Sequence, residues 1–186
     1  GSRFWVDSGH DRFTEEMTLF YQDYMEEMEN PSPTSKPRFA LTTETAPGFF
    51  TLIQTLEEGS QRSLGVKGQV TGPMTTGIGV KNQHGNSIFY DDNLRDIVVK
   101  LITMKARWQV ARLKPFSNTI PPIIFIDEPG IVSFGSTAYT SVTREMVTDS
   151  VCEVIDGVKS AGGLAGVHIC ANGDWAPVLN SQADLI

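Results

Sequence analysis

Between Asp11 and Glu29, apolar residues recur at spacings of three and four. Phe13, Met17, Phe20, Tyr24 and Met28 fall on one stripe, which predicts an amphipathic helix. Asn30-Pro31-Ser32-Pro33 stops it, and the punctuated stretch through Lys36-Pro37 is the best linker candidate in the chain. An alternation of strands and helices follows. Phe39 to Thr43 reads as a short strand, and Pro47 to about Glu57 as a helix. Val66 to Val70 is a second strand, ending in Thr71-Gly72-Pro73. A long helix runs from Asp91 to Lys114, with Leu94, Ile97, Val98, Leu101 and Ile102 as its buried stripe. Its acids lie at the start and Arg112 and Lys114 at the end, as the helix dipole prefers. Ile123 to Ile126 is apolar without alternation, the pattern of a strand buried on both faces. From about Thr143 a helix buries Val147, Val151, Val154, Ile155 and Val158, and Gly162-Gly163 ends it. Leu164 to Val167 is a fourth strand, running into His168-Ile169-Cys170. A short helix near Trp175 to Leu179 leads to Asp184-Leu185-Ile186, the opening of a fifth strand.

Strands joined by helical crossovers form a parallel sheet, either an open one or a barrel. A closed eight-stranded barrel takes roughly 250 residues, and this chain has 186. The pattern therefore predicts one domain spanning 1–186, an α/β fold that is an open sheet or part of a barrel. The apolar, strand-like run at Ile186 favours the part.

Composition narrows the class. Hydrophobic residues make up 40% and charged residues 20%, which excludes wholesale disorder. The net charge of -7 comes without a basic patch, so nucleic acid is set aside as a partner. No apolar stretch is long enough to span a bilayer, and the start has no charged segment leading into an apolar one, so a cytoplasmic protein with no membrane partner is expected. Two cysteines, Cys152 and Cys170, make no disulfide framework.

The polar residues cluster where the predicted strands end: Thr43-Glu44, Gln69 to Thr71, Asp127-Glu128 and His168 to Cys170. In parallel α/β folds that edge is where sites are built. His168 and Cys170, two apart on an extended segment, point to one face, and imidazole and thiolate are both zinc ligands. The alternative is a small buried Cys beside a hydrogen-bonded His. A zinc site takes three or four protein ligands, and nothing else has ligand spacing to this pair. Cys152, between Val151 and Val154, reads as packing. Asp127 and Glu128 are candidates to divide the work, one binding a cationic group and the other capping a loop or helix, unless both only satisfy loop amides. Thr71-Gly72-Pro73-x-Thr75 reads as a turn with Gly and Pro fixing the backbone, either a plain structural turn or one that shapes a pocket floor. Gly77-Ile78-Gly79 receives no function. His10 and His84 sit in polar contexts and are expected in solvent. Trp175 either walls the site or packs.

At these residues the chain resembles the uroporphyrinogen decarboxylase/cobalamin-independent methionine synthase-like superfamily. Gly68 to Thr75, Lys105 to Gln109, Ile126 to Pro129 and His168 to Trp175 resemble its segments in order and spacing. The resemblance implies a (β/α)8 TIM barrel, of which about five strands are represented, the first lying before Gly1 and the last after Ile186. It implies zinc held by His168 and Cys170, completed by a glutamate and a cysteine further along. By the same resemblance Asp127 binds the amino group of a thiol amino acid, with Glu128 in support. The implied activity is a zinc-dependent methyltransferase acting on a small-molecule thiol, with a methyl-folate or a corrinoid protein as donor. In this scheme Thr71, Gly72 and Trp175 line the pocket. A metal-free tetrapyrrole decarboxylase is the second expectation, and a catalytically silent barrel piece, pairing with another copy through its open edges, is the third.

Overall fold

The computed structural model describes residues 5–30, 38–59, 63–136 and 139–186. The linker candidate at 31–37 lies outside them. Among the described residues, β1 (Trp5–Val6) and β3 (Lys81–Asn82) form a two-stranded parallel pair. β2 (Lys67–Thr71), β4 (Ile123–Asp127) and β5 (Leu164–His168) form a parallel sheet in the order β2-β4-β5. The helices are α1 (Phe13–Glu29), α2 (Pro47–Glu58), α3 (Pro73–Gly79), α4 (Asp92–Leu113), α5 (Arg144–Ser160) and α6 (Ala176–Leu179). α4 carries the chain from β2 to β4 and α5 from β4 to β5, the crossovers that parallel strands require.

Local chemistry sets the helix ends. Asp91 accepts from Leu94 N at 3.0 Å and Thr143 from Met146 N at 3.2 Å, side-chain caps for α4 and α5. Gly162, at φ +86°, turns the chain out of α5, a conformation that an L side chain resists. α3 stands where the sequence predicts only a turn. Pro73 opens it, and a proline's fixed φ suits that first position.

The sheet alternates. Ile124, Ile126, Ala165 and Val167 are fully buried and share one core with Val110 and Leu113 of α4 and Val147, Val151, Val154, Ile155 and Val158 of α5. On the opposite face Lys67, Gln69, Thr71 and His168 are exposed, and Ile123, Phe125, Asp127 and Leu164 are half-buried. β4 is therefore not buried on both faces, as its unbroken apolar run predicted. α4 is buried well beyond its predicted stripe. Its outer side carries Met104 against Phe20 and Phe39, and Trp108 with the rings of Phe49 and Phe50 at 5.5 and 6.2 Å.

The expected (β/α)8 barrel is not formed: the described strands make one sheet of three and one of two, with no closure. Two features account for this. The segment 39–43 is not a strand. Phe39 is buried against α1 and α4, and Thr42 and Thr45 close a turn that leads into α2. The outer edge of β2 is also occupied. The Gln109 carboxamide, from α4, accepts from Gln69 N at 3.1 Å and donates to Gln69 O at 2.9 Å. It stands where a neighbouring strand's peptide would be, and closing a sheet requires that edge to pair with backbone. At the other edge, Asp184 to Ile186 makes a single parallel bridge, Gly166 to Leu185, rather than a strand. No helix among the described residues is long and apolar enough to cross a membrane.

Candidate functional site

The register of the three-stranded sheet sets three polar side chains in one row. Thr71 pairs with Asp127, and Asp127 with His168. Residues paired across parallel strands share a face, with neighbouring strands about 4.8 Å apart. All three lie on the face away from α4 and α5, at the carboxyl ends of their strands. The ladder continues one step further, with Gly72 N donating to Asp127 O and Glu128 N to His168 O, both at 2.8 Å. The backbone beneath the row is therefore fixed. Among the described residues, neither the Asp127 carboxylate nor the His168 imidazole has a hydrogen-bond or ion-pair partner.

Glu128 faces the other way. Its side chain is fully buried. One carboxylate oxygen accepts from Met74 N at 2.9 Å, and the other from Thr75 N at 2.9 Å and the Thr75 hydroxyl at 2.6 Å. The same hydroxyl accepts from Gly130 N at 2.9 Å. A carboxylate suits the first turn of a helix, where backbone N–H groups lack partners. Burial pushes the Glu128 carboxyl up to about 7, against the opposing pull of the Thr75 hydroxyl and the two amides. Gly72 is required here, since a Cβ at that position would overlap the Glu128 carboxyl. Of the two adjacent acids, Asp127 can meet a ligand and Glu128 holds the start of α3.

Beyond β5 the alternation persists through the loop: His168 is exposed, Ile169 buried and Cys170 exposed. Imidazole and thiol are thus both open to solvent. Zinc needs at least three protein ligands. Among the described residues no group of three or more His, Cys, Asp or Glu side chains is placed to hold a metal ion. Among the described residues His168 and Cys170 supply two donors, short of the three that zinc takes. Cys152 is half-buried on α5, and burial pushes its thiol up, with Asp156 and Asp149 adding to the effect.

Other expected members fall elsewhere. Glu44 lies in the exposed turn before α2 and not at a strand end. Trp175 packs half-buried against the main core. It precedes α6, whose start is held by Asp174, which accepts from Ala176 N at 2.9 Å and pairs with Arg144 at 2.9 Å. His10 and His84 are exposed. Sequence reading missed Met74 and Thr75 as the partners of Glu128, and Gln109 as the edge cap. Gln109 carried a signal: it falls seven residues after Ile102, on the buried stripe of α4, where an unexplained amide asks for a partner.

Compared with protein-family models, with curated proteins and with solved structures, the chain matches none.

Proposed function

We propose that the row Thr71, Asp127 and His168 binds a small thiol carrying an amino group and prepares it for methyl transfer, the activity that the superfamily resemblance implies. The observation behind this reading is a carboxylate and an imidazole in register on adjacent strand ends, both unpartnered among the described residues and both on the open face. A cationic amino group placed over the row pairs with Asp127 and takes a charge-assisted hydrogen bond. The Thr71 hydroxyl adds a second polar contact. The thiol then reaches His168, and an imidazole is the side chain suited to proton exchange near neutral pH. The thiol proton passes to His168, the sulfur forms its new bond to the methyl carbon, and the donor keeps the electron pair of the bond that breaks. Glu128 touches none of these atoms. It positions the row, through its N–H on His168 O and its grip on α3.

Calorimetric titration separates this reading from a bland polar ledge. Homocysteine carries both groups, and 4-mercaptobutyrate lacks the amine. Homocysteine is expected to bind at least about tenfold more tightly, the scale of one charged hydrogen bond. Asp127→Asn is expected to erase that difference. Equal affinity of the two thiols for the unaltered protein would overturn the assignment.

A further inference from the structure

A second concavity lies at the opposite end of α3 from Glu128. It is an open hollow of about 830 Å³ between Trp5 and the segment from Gly79 to Gly85. Its walls are set by backbone pairing: Trp5 is in register with Lys81, and Val6 with Asn82. Trp5 is 56% exposed, so an indole face stands open beside the loop.

The loop's own hydrogen bonds decide what the pocket can recognise. The Asn82 side-chain oxygen accepts from His84 N and Asn86 N, both at 3.0 Å. The Gln83 side-chain oxygen accepts from Ser8 N and the Ser8 hydroxyl, both at 3.2 Å. Both amide oxygens are saturated, and backbone donors fix which way each amide faces. Lys81 Nζ donates to Ile78 O at 2.9 Å and to the Ser87 hydroxyl at 2.7 Å, which leaves one of its three N–H groups. Both N–H groups of Asn82 Nδ2 and one of Gln83 Nε2 also remain without a partner among the described residues. Among the described residues, the polar side chains lining the pocket therefore offer donors and one positive charge, and no acceptor. Among the described residues no carboxylate lines it. Asp7, two residues past Trp5, turns its carboxylate back to Gly9 N at 3.1 Å.

We infer that this pocket binds a planar aromatic carboxylate. The ring stacks on the Trp5 indole, and the carboxylate accepts from Lys81 and Asn82. The loop is already braced by its own hydrogen bonds, so little ordering opposes binding. The site is independent of the methyl-transfer reading, since none of its residues belongs to the row at the strand ends.

Calorimetry with 2-naphthoate tests it, beside 2-naphthylmethylamine, which keeps the ring and reverses the charge, and cyclohexanecarboxylate, which keeps the charge and loses the flat face. Naphthoate is expected to bind at least about tenfold more tightly than either. Trp5→Ala, a change at an exposed side chain, is expected to weaken naphthoate about tenfold while leaving the circular dichroism unchanged. Lys81→Met is expected to remove the preference for carboxylate over amine, and Lys81→Arg to keep it. Absence of naphthoate binding, or equal binding of the amine, or equal binding by the Trp5→Ala protein, would overturn the inference.

Discussion

One carboxylate oxygen of Glu128 accepts both the backbone N–H of Thr75, at 2.9 Å, and the Thr75 hydroxyl, at 2.6 Å. This contact ties the loop after β4 to the first turn of α3, across more than fifty residues of sequence. It also carries a pH dependence. Burial raises the Glu128 carboxyl from its ordinary 4.5 to about 7, so the folded protein keeps this proton to higher pH than the unfolded chain does. The group's contribution to stability is full below about pH 4.5 and declines as pH rises through about 7. The span corresponds to roughly 3 kcal/mol by linkage. Urea denaturation at a series of pH values should show this decline, and Glu128→Gln should flatten it.

Gly72 leaves room for that carboxyl. Gly72→Ala is expected to cost about 2–4 kcal/mol, the range for forcing a buried group out of place. A Cβ at Gly48 would meet nothing within 4 Å, and Gly48 has no positive φ, so Gly48→Ala provides a matched control. Chemical denaturation of the two variants should separate them. Equal midpoints would argue against the close approach.

Thr103, on α4, is only 2% exposed, and its hydroxyl has no hydrogen-bond partner among the described residues. Its methyl group lies against Gly157 of α5, where a Cβ would not fit. Replacing the hydroxyl with a methyl keeps the shape and removes an unpaired polar atom. Thr103→Val is expected to stabilise the protein by about 1 kcal/mol. A loss of stability on the same measurement would mean that the hydroxyl has a partner in solution.

Gln109 makes two hydrogen bonds to the edge of β2. Gln109→Ala leaves the Gln69 N–H and C=O unpaired, at a cost of about 1–3 kcal/mol. The freed edge is then open to strand addition. Light scattering behind size-exclusion chromatography should show concentration-dependent association in this variant beyond that of the unaltered chain.

The sequence revealed elements wherever the local pattern decided the outcome. The α5 stripe from Val147 to Val158 is fully buried, and Gly162 ends that helix with a positive φ. β2, β4 and β5 lie within a residue or so of their expected places; β4 and β5 are short, largely apolar runs, and β2 ends at the Gly72-Pro73 turn signal. What stayed hidden was non-local. Phe39 to Thr43 had the composition of a strand, yet Phe39 found a better partner in Phe20 and Met104 than in a sheet edge. β1 and β3 are two residues each, and their pairing spans a separation that no periodicity reports. At the site, the sequence set Asp127 beside Glu128, but which of them faces out was decided by α3, an element read only as a turn. The row Thr71, Asp127 and His168 follows from strand register, which a single chain's pattern does not specify. The polar character of the strand ends was legible, and their mutual placement was not.

The Gln109 contact also has a consequence in time. The residue that protects β2 is forty positions further along the chain and reaches the strand only when α4 docks. Until then β2 is a naked template. In any refolding route that forms β2 before α4 docks, the strand can capture a neighbour instead of its own side chain. Recovery of native protein after dilution from denaturant should therefore fall as chain concentration rises, and α4 is the timer that sets how steeply.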